Sequence, residues 1–365
     1  MNRLYFFSLF LLIASWHFAC QGEKSNIENG KNASGSIELR EGSIADFSDS
    51  LLTVAFYNVE NLFDIYDDPK TNDNQFLPSS EKEWTAERYG EKLKNLAKVF
   101  SAIEAHASDS PDLIGLVEIE NEQVIKDLIG QFNPSDASYK IVHEDSPDER
   151  GIDVGFVYNE NVFTYLSHEN IRVYFEQDPK VKTRDILYIR GSVNGEVLHV
   201  FVNHWSSRRD GEKETEFKRL ACARMVKQKI FAIQKENAEA NILLMGDFND
   251  YPNNNSLVNV IGANNSNSGN SFFNLASAIH ERGEGTYNYR GKWGMLDQMI
   301  LSDALKNDAR FQLSTDELYI LKEEWMLYQH PKYKDFRPNR SYGGPNYYGG
   351  YSDHLPVYIQ FNLNF

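Results

Sequence analysis

Leu244-Met245-Gly246-Asp247-Phe248-Asn249-Asp250 is the stretch on which the fold turns. With the residues before it, it makes an apolar run over 241–246 that ends in Gly-Asp-x-Asn. A short apolar run of this kind predicts a strand. Gly246 lets another backbone come close. Asp247 and Asn249, two apart on extended backbone, face the same way. Polar residues at the tip of a rigid strand are how α/β proteins hold a site at the edge of a sheet.

Working outward, the same grammar recurs. Phe56-Tyr57-Asn58-Val59-Glu60-Asn61 puts Asn58 near the end of an apolar strand over 51–59. In Gly115-Leu116-Val117-Glu118-Ile119-Glu120-Asn121, Glu118 interrupts an apolar strand over 113–117. A buried carboxylate there is costly unless it is paired or bound to a cation. Asn203-His204-Trp205-Ser206-Ser207-Arg208 ends a strand over 197–204 in a histidine. Gly294-Met295-Leu296-Asp297-Gln298-Met299-Ile300 carries another carboxylate into an apolar strand over 295–301. Tyr351-Ser352-Asp353-His354-Leu355-Pro356-Val357 enters the last strand, 351–361. Each motif alone also reads as a turn, a helix cap or a core histidine.

Helical spacing predicts helices over 83–106, 122–132 and 212–237, where apolar residues such as Leu93, Leu96, Phe100 and Ile103 share one face. Further strands are expected at 139–143, 153–158, 171–174, 185–193 and 286–289. The Asn/Ser-rich 253–271 and the Tyr/Gly/Asn-rich 337–351 read as loops. Strands thus alternate with helices in both halves, with hairpins between. That order suits two sheets packed face to face with helices on the outer faces.

The 365 residues are 41% hydrophobic, ample for a core. The formal charge, 37 − 53 = −16, excludes broad charge-driven coating of nucleic acid or anionic membrane. It allows a small cleft dominated by a bound ion. Two cysteines, Cys20 and Cys222, support neither a disulfide framework nor a zinc motif. Residues 1–19 read as an export signal, with Arg3 ahead of an apolar run over 4–14 too short to span a bilayer. Ala19-Cys20 resembles a lipoprotein cleavage site, which would make Cys20 the lipidated first residue; His17 departs from that pattern, and a plain secretory signal is the other reading. Residues 20–50 suit a flexible tether, and the catalytic domain is expected at 51–365. The expected location is periplasmic or cell-surface, anchored through Cys20, or else secreted.

The ordered set of motifs across 51–363 resembles the endonuclease/exonuclease/phosphatase superfamily, which includes deoxyribonuclease I and exonuclease III. Gly246-Asp247-Phe248-Asn249 and Ser352-Asp353-His354-Leu355-Pro356-Val357 are its most specific parts. The resemblance implies a four-layer α/β sandwich, two central mixed sheets flanked by helices. It implies that Glu118 holds Mg²⁺ or Mn²⁺, with Asn58 and Asp353 as further ligands or acting through water. Asp247 would orient or deprotonate the attacking water, with Asn249 fixing the geometry. His354 would contact the phosphate, kept cationic by Asp297, and His204 would be a second phosphate contact. Hard oxygen donors suit Mg²⁺.

Asp148-Glu149-Arg150-Gly151-Ile152-Asp153 supports two readings. Arg150 binds phosphate and Asp153 orients His204, or the segment is a turn with an exposed ion pair. Arg290 and Lys292 beside Tyr289 and Trp293 suit a base or sugar contact, or rim packing. Arg208-Arg209 reads as a solvated edge. The expected activity is a metal-dependent phosphoesterase, a nuclease first, with a phosphomonoesterase or sphingomyelinase-like lipid phosphodiesterase as alternative, working as a monomer on a phosphate ester. An inactive binding protein is disfavoured by the complete set of carboxylates.

Overall fold

The computed structural model describes residues 50–132, 137–265 and 271–365, and these fall in one compact unit. The expected signal segment, Cys20 and the tether up to residue 49 lie outside them. Among the described residues no helix is long and apolar enough to cross a membrane.

The strands, in chain order, are Ser50–Leu62 (β1), Leu113–Ile119 (β2), Tyr139–His143 (β3), Asp153–Asn159 (β4), Phe163–Ile171 (β5), Ile186–Val193 (β6), Glu196–His204 (β7), Asn241–Asp247 (β8) and Phe272–Asn274 (β9). There follow Tyr287–Tyr289 (β10), Lys292–Gly294 (β11), Asp297–Ser302 (β12), Phe311–Leu313 (β13), Tyr319–Ile320 (β14), Leu327–Gln329 (β15), Phe336–Pro338 (β16), Tyr342–Gly343 (β17), Asn346–Tyr347 (β18) and Val357–Leu363 (β19). One sheet runs β13-β19-β1-β2-β4-β3, with β14 also on β19; the other runs β5-β6-β7-β8-β12-β9. Each sheet is mixed. β1 and β2 pair in parallel, as do β7 and β8, and the other pairs are antiparallel.

A parallel pair needs a crossover long enough to cover the sheet, usually a helix. Ala86–Ala107 (α1) makes it between β1 and β2, and Glu216–Glu236 (α3) between β7 and β8. Thr85 caps α1 by accepting from the Arg88 N–H, and Asn121 caps Glu122–Gln131 (α2) by accepting from that of Val124. Leu93, Leu96, Val99, Phe100 and Ile103 of α1 pack with α2 on the outer face of the first sheet. Ala223, Val226 and Ile230 of α3 cover the second. Between the sheets lie Leu52, Val54, Phe56, Val117 and Phe156 from one side and Val200, Val202, Leu243, Met245 and Met299 from the other. The four layers expected from the sequence are therefore present. Gly115 sits in the seam, where an added Cβ would lie 3.0 Å from Met245 Sδ and from a Phe56 ring carbon. A side chain there would require Met245, Phe56 and Val202 to give by a few tenths of an ångström.

Four expectations change. The strand placed at 171–174 is β5, ending at Ile171; as an edge strand with a register shift after Tyr165 it exposes most of its residues and shows no clean alternation. The strand at 286–289 is half of a separate hairpin with β11 rather than part of a sheet. The expected loop at 253–271 contains a π-helical turn, Ser256–Ile261, packed against α3. The expected loop at 337–351 holds the short strands β17 and β18.

Candidate active site

Period-two alternation carries the inter-sheet core straight into the site. In β8, Leu243 and Met245 point between the sheets, and Asp247 is next in that series. Val200 and Val202 lead in the same way to His204, and Leu52, Val54 and Phe56 to Asn58. Met299 and Leu301 follow Asp297. The registers set Asp247 opposite both His204 and Asp297. Side chains from separate strands thus meet where the core ends.

Glu118 breaks this parity. Its neighbours predict that it points away, toward the helices. Instead it adopts φ 63°, at a register shift between Val117 and Ile119. A bulge of this kind re-aims a side chain, and a non-glycine residue held at positive φ marks strain kept for a purpose. The re-aimed carboxylate takes the Asn61 N–H on Oε2 at 3.0 Å and lines the cleft.

The centre is tightly bonded. His354 Nδ1 lies 2.7 Å from Asp297 Oδ2, which also accepts from the Thr286 hydroxyl. The His354 N–H donates to Ser352 Oγ at 3.1 Å, and that hydroxyl donates to the Asn58 carbonyl at 2.7 Å. The turn carrying His354 is thereby fastened to β1. His354 Nε2 faces Asp247 Oδ2 at 3.8 Å, and His204 Nε2 lies 3.8 Å from both Asp247 Oδ2 and Glu118 Oε1. Asn249, at φ 49°, donates its backbone N–H to Asp247 Oδ1 at 2.9 Å and its amide to the Trp205 carbonyl at 3.0 Å.

Electrostatics divide the groups. Burial alone would lower the His354 pKa, but Asp297 and Asp247 outweigh it and hold the ring cationic, well above the usual range. Burial pushes Asp247 up to about 7, opposed by His354 and reinforced by Asp297. His204 goes the other way: burial, with Arg184, Arg150 and His354 nearby, keeps it neutral. The two histidines thus offer one charged and one uncharged donor.

Four sequence assignments are corrected. The amide oxygen of Asn58 accepts from the Glu60 N–H, and its nitrogen donates to Asp247 Oδ2 at 3.1 Å and faces Glu118 Oε1 at 3.4 Å. It positions the two carboxylates rather than offering a metal an oxygen. Asp153 bonds to Ser146 and faces His143, so it does not orient His204, whose Nδ1 has no hydrogen-bond partner. Arg290 turns over the Tyr289 ring, toward a neighbouring pocket. Arg208 is not a solvated edge: it lines the cleft, bonded to the Asn249 carbonyl and to Asp250, while Arg209 lines the cleft and stays exposed, as expected. Arg150 and Lys292 both line the cleft, but the half-exposed Arg150 guanidinium is ion-paired with Asp148 at 3.2 Å, so the turn with an exposed ion pair is present as well. Asp353 lines it too, ion-paired with Arg340.

Sequence reading missed Arg184, Arg340, Glu60 and Lys92. Arg184 is buried between Asp148 and the Trp205 carbonyl at the cleft. Arg340 bridges Asp353 and Glu60, and buried Lys92 reaches from α1 toward Glu60. The signal was weak: Arg184 and Arg340 sit in loops, and Lys92 lies in a helix of unremarkable pattern.

Residues 53–363 match the family described as Endonuclease/Exonuclease/phosphatase family. The chain belongs to that family. It is accordingly a phosphoester hydrolase. No curated protein matches it in sequence. Solved structures share the fold of this family member at low identity. An endonuclease/exonuclease/phosphatase family protein from Bacteroides thetaiotaomicron aligns at 14% identity and TM-score 0.51, over 87% of this chain and 99% of that one. D. rerio TDP2 complexed with single strand DNA product aligns at 16% and 0.51, over 86% and 100%. The human Nocturnin catalytic domain with bound sulfate anion aligns at 16% and 0.50, over 87% and 98%.

Enzymes of this family use divalent metals, and the residues here fit one. Glu118 and Asp353, both partly exposed on the cleft, are hard oxygen donors suited to an ion that keeps several waters. Burial and then Asp353 push the adjacent Glu60 up to about 7, with Lys92 and Arg340 opposing.

Proposed function

We propose that this enzyme is a Mg²⁺- or Mn²⁺-dependent nuclease, hydrolysing phosphodiester bonds by in-line attack of water. The cleft carries the reading. It has a volume of about 1230 Å³, above the roughly 300–1,000 Å³ of ordinary small-molecule sites. Arg150, Arg184, Arg209 and Lys292 line it together with Tyr251, Tyr287 and Tyr289. The exposed Tyr289 ring beside these cations suits a strand with several phosphates and a base to stack, while Tyr251 is already packed between Arg208 and His280 and Tyr287 lies against His354. A chain of net charge −16 that gathers cations along one cleft confines its attraction for phosphate to that place. The single strand DNA product held by the D. rerio relative agrees with a strand in such a cleft.

In this mechanism Asp247, fixed by Asn58 and Asn249, orients the water and takes its proton as the new P–O bond forms; the P–O bond opposite breaks, and its oxygen leaves as an alcohol after taking a proton from solvent. His354 donates from Nε2 to a non-bridging oxygen, its charge sustained by Asp297. His204 adds a neutral donor, and Arg150 a cationic one. Glu118, with Asp353, would hold the divalent ion, which supplies neutralisation of charge on the phosphate oxygens.

The test is turnover by the purified enzyme with Mg²⁺ on single-stranded DNA, plasmid, RNA, sphingomyelin and phosphomonoesters. Nucleic acid should give the highest kcat/KM, and Arg150→Ala should raise KM for it more than it lowers kcat. A higher kcat/KM on a phosphomonoester or on sphingomyelin rejects the nuclease reading. Export and a lipid at Cys20 belong to the same proposal, supported by the apolar leader and the tether. Fatty-acid labelling should mark the parent and not Cys20→Ser; equal labelling of both, or of neither, rejects the anchor.

A further inference from the structure

A cluster that does not line the catalytic cleft has the makings of a second ion site. His143 ends β3, Asp153 begins β4, and Asp145 lies in the loop between them. Each offers one ligand atom, and the three atoms lie within 4.8 Å of one another. The His143 and Asp153 side chains are each only 3% exposed. Yet His143 Nε2 makes no hydrogen bond. Asp153 Oδ2 is 3.4 Å away, while the other oxygen of that carboxylate accepts from the Ser146 N–H at 2.9 Å.

A buried ring nitrogen left unbonded has lost its water without gaining a partner, so the arrangement calls for one. Two ligands of one tetrahedral ion, with bonds of about 2.0–2.1 Å, stand about 3.4 Å apart without bonding each other. The surroundings carry a surplus of acid. Asp185 is buried with neither carboxylate oxygen hydrogen-bonded, although Arg172 Nε stands 3.0 Å from one of them. Burial pushes Asp185 up to about 6, with Arg172 opposing and Asp153 and Glu144 adding to the shift. A cation at the cluster would give the His143 ring nitrogen its missing partner.

We propose that His143, Asp145 and Asp153 bind a divalent transition-metal ion, with Zn²⁺ the best match, separate from the ion held by Glu118. One imidazole and two carboxylates are a donor set that Zn²⁺ accepts, with water in the fourth position. Asp145 is exposed and gives the ion a way in. The site would clamp the two ends of the loop 144–152. That loop presents Arg150 to the cleft and Asp148 to Arg184. The ion is thus structural, holding the arm that carries a phosphate contact, and this holds whatever the substrate.

The experiment takes the purified chain carrying Glu118→Gln, strips it with chelator and titrates it with Zn²⁺ by calorimetry. One Zn²⁺ should bind per chain, and limited proteolysis within 144–152 should slow when it does. Adding Asp145→Asn, an exposed change that leaves the core intact, should weaken binding about tenfold or more. Adding His143→Gln should abolish it. Unchanged Zn²⁺ affinity with Asp145→Asn, or no stoichiometric binding in the Glu118→Gln chain, overturns the proposal.

Discussion

The Nδ1 of His354 and the Oδ2 of Asp297 lie 2.7 Å apart, both side chains buried, in residues 57 positions apart in the chain. The bond joins the turn before β19 in one sheet to the start of β12 in the other. It makes the imidazolium a feature of the packed sandwich rather than of either strand.

The first prediction follows from that bond. His354→Ala and Asp297→Asn should each lower kcat by about 10²–10³-fold with little change in KM. The double variant should be little worse than His354→Ala, because the pair acts as a unit. The pH profile supplies a second readout. Asp297 raises the His354 pKa, so activity should fall on the alkaline side as the ring loses its proton. Asp297→Asn should move that fall to lower pH. An unmoved alkaline limb, or multiplicative losses in the double variant, would assign Asp297 a different task.

The second concerns the metal. Glu118→Gln should lower Mg²⁺-dependent turnover by about 10²-fold or more and raise the Mg²⁺ concentration needed for half activity. Its far-UV circular dichroism should match the parent, since the side chain is partly exposed and lies outside the core. Full activity of the parent after exhaustive EDTA treatment would count against any metal role.

The third is a stability prediction. A Cβ on Gly246 would lie 2.4 Å from the Asn203 carbonyl oxygen, a backbone atom with little room to move. Gly246→Ala should therefore cost about 1–3 kcal/mol in denaturant unfolding. It should also lower kcat, because the strain falls one residue before Asp247. A variant as stable as the parent would show that β7 can shift freely.

The fourth is a pH dependence of stability. Burial pushes Glu120 up to about 8, with Asp64, Asp73 and Asp68 adding to the effect and the Asp64 N–H opposing it. Between the ordinary value near 4.5 and about 8, the folded chain keeps a proton that the unfolded chain has released. Stability from this group therefore falls as pH rises through that window. Glu120→Gln should flatten the dependence of Tm on pH there, with its largest gain near pH 8. Parallel Tm curves for the two proteins would refute this.

Much of the fold was legible because its signals are local. The apolar runs ending at Asn58, Glu118, His204 and Asp247 are strand signals, and the three long helices announce themselves by period. Edge strand β5 is not legible, because its solvent-facing residues carry no alternation. The separate pairing of β10 with β11 is not legible either, because three residues cannot say what they pair with.

By itself the sequence determined which polar side chains flank apolar strands and in what order they come. His204 and Asp247 close such strands and Asp297 and His354 enter them, a pattern visible one residue at a time, and it is the resemblance to the family that joins them to phosphate chemistry. The tertiary structure decided what each one touches. Asn58 became a donor to carboxylates, Asp153 turned to His143, Asp353 paired with Arg340, and Arg208 swung onto the cleft wall. Those outcomes depend on registers between strands far apart in the chain and on the bulge that turns Glu118 inward. A hydrogen bond tolerates only a few tenths of an ångström, and no local pattern fixes distances between distant strands to that tolerance.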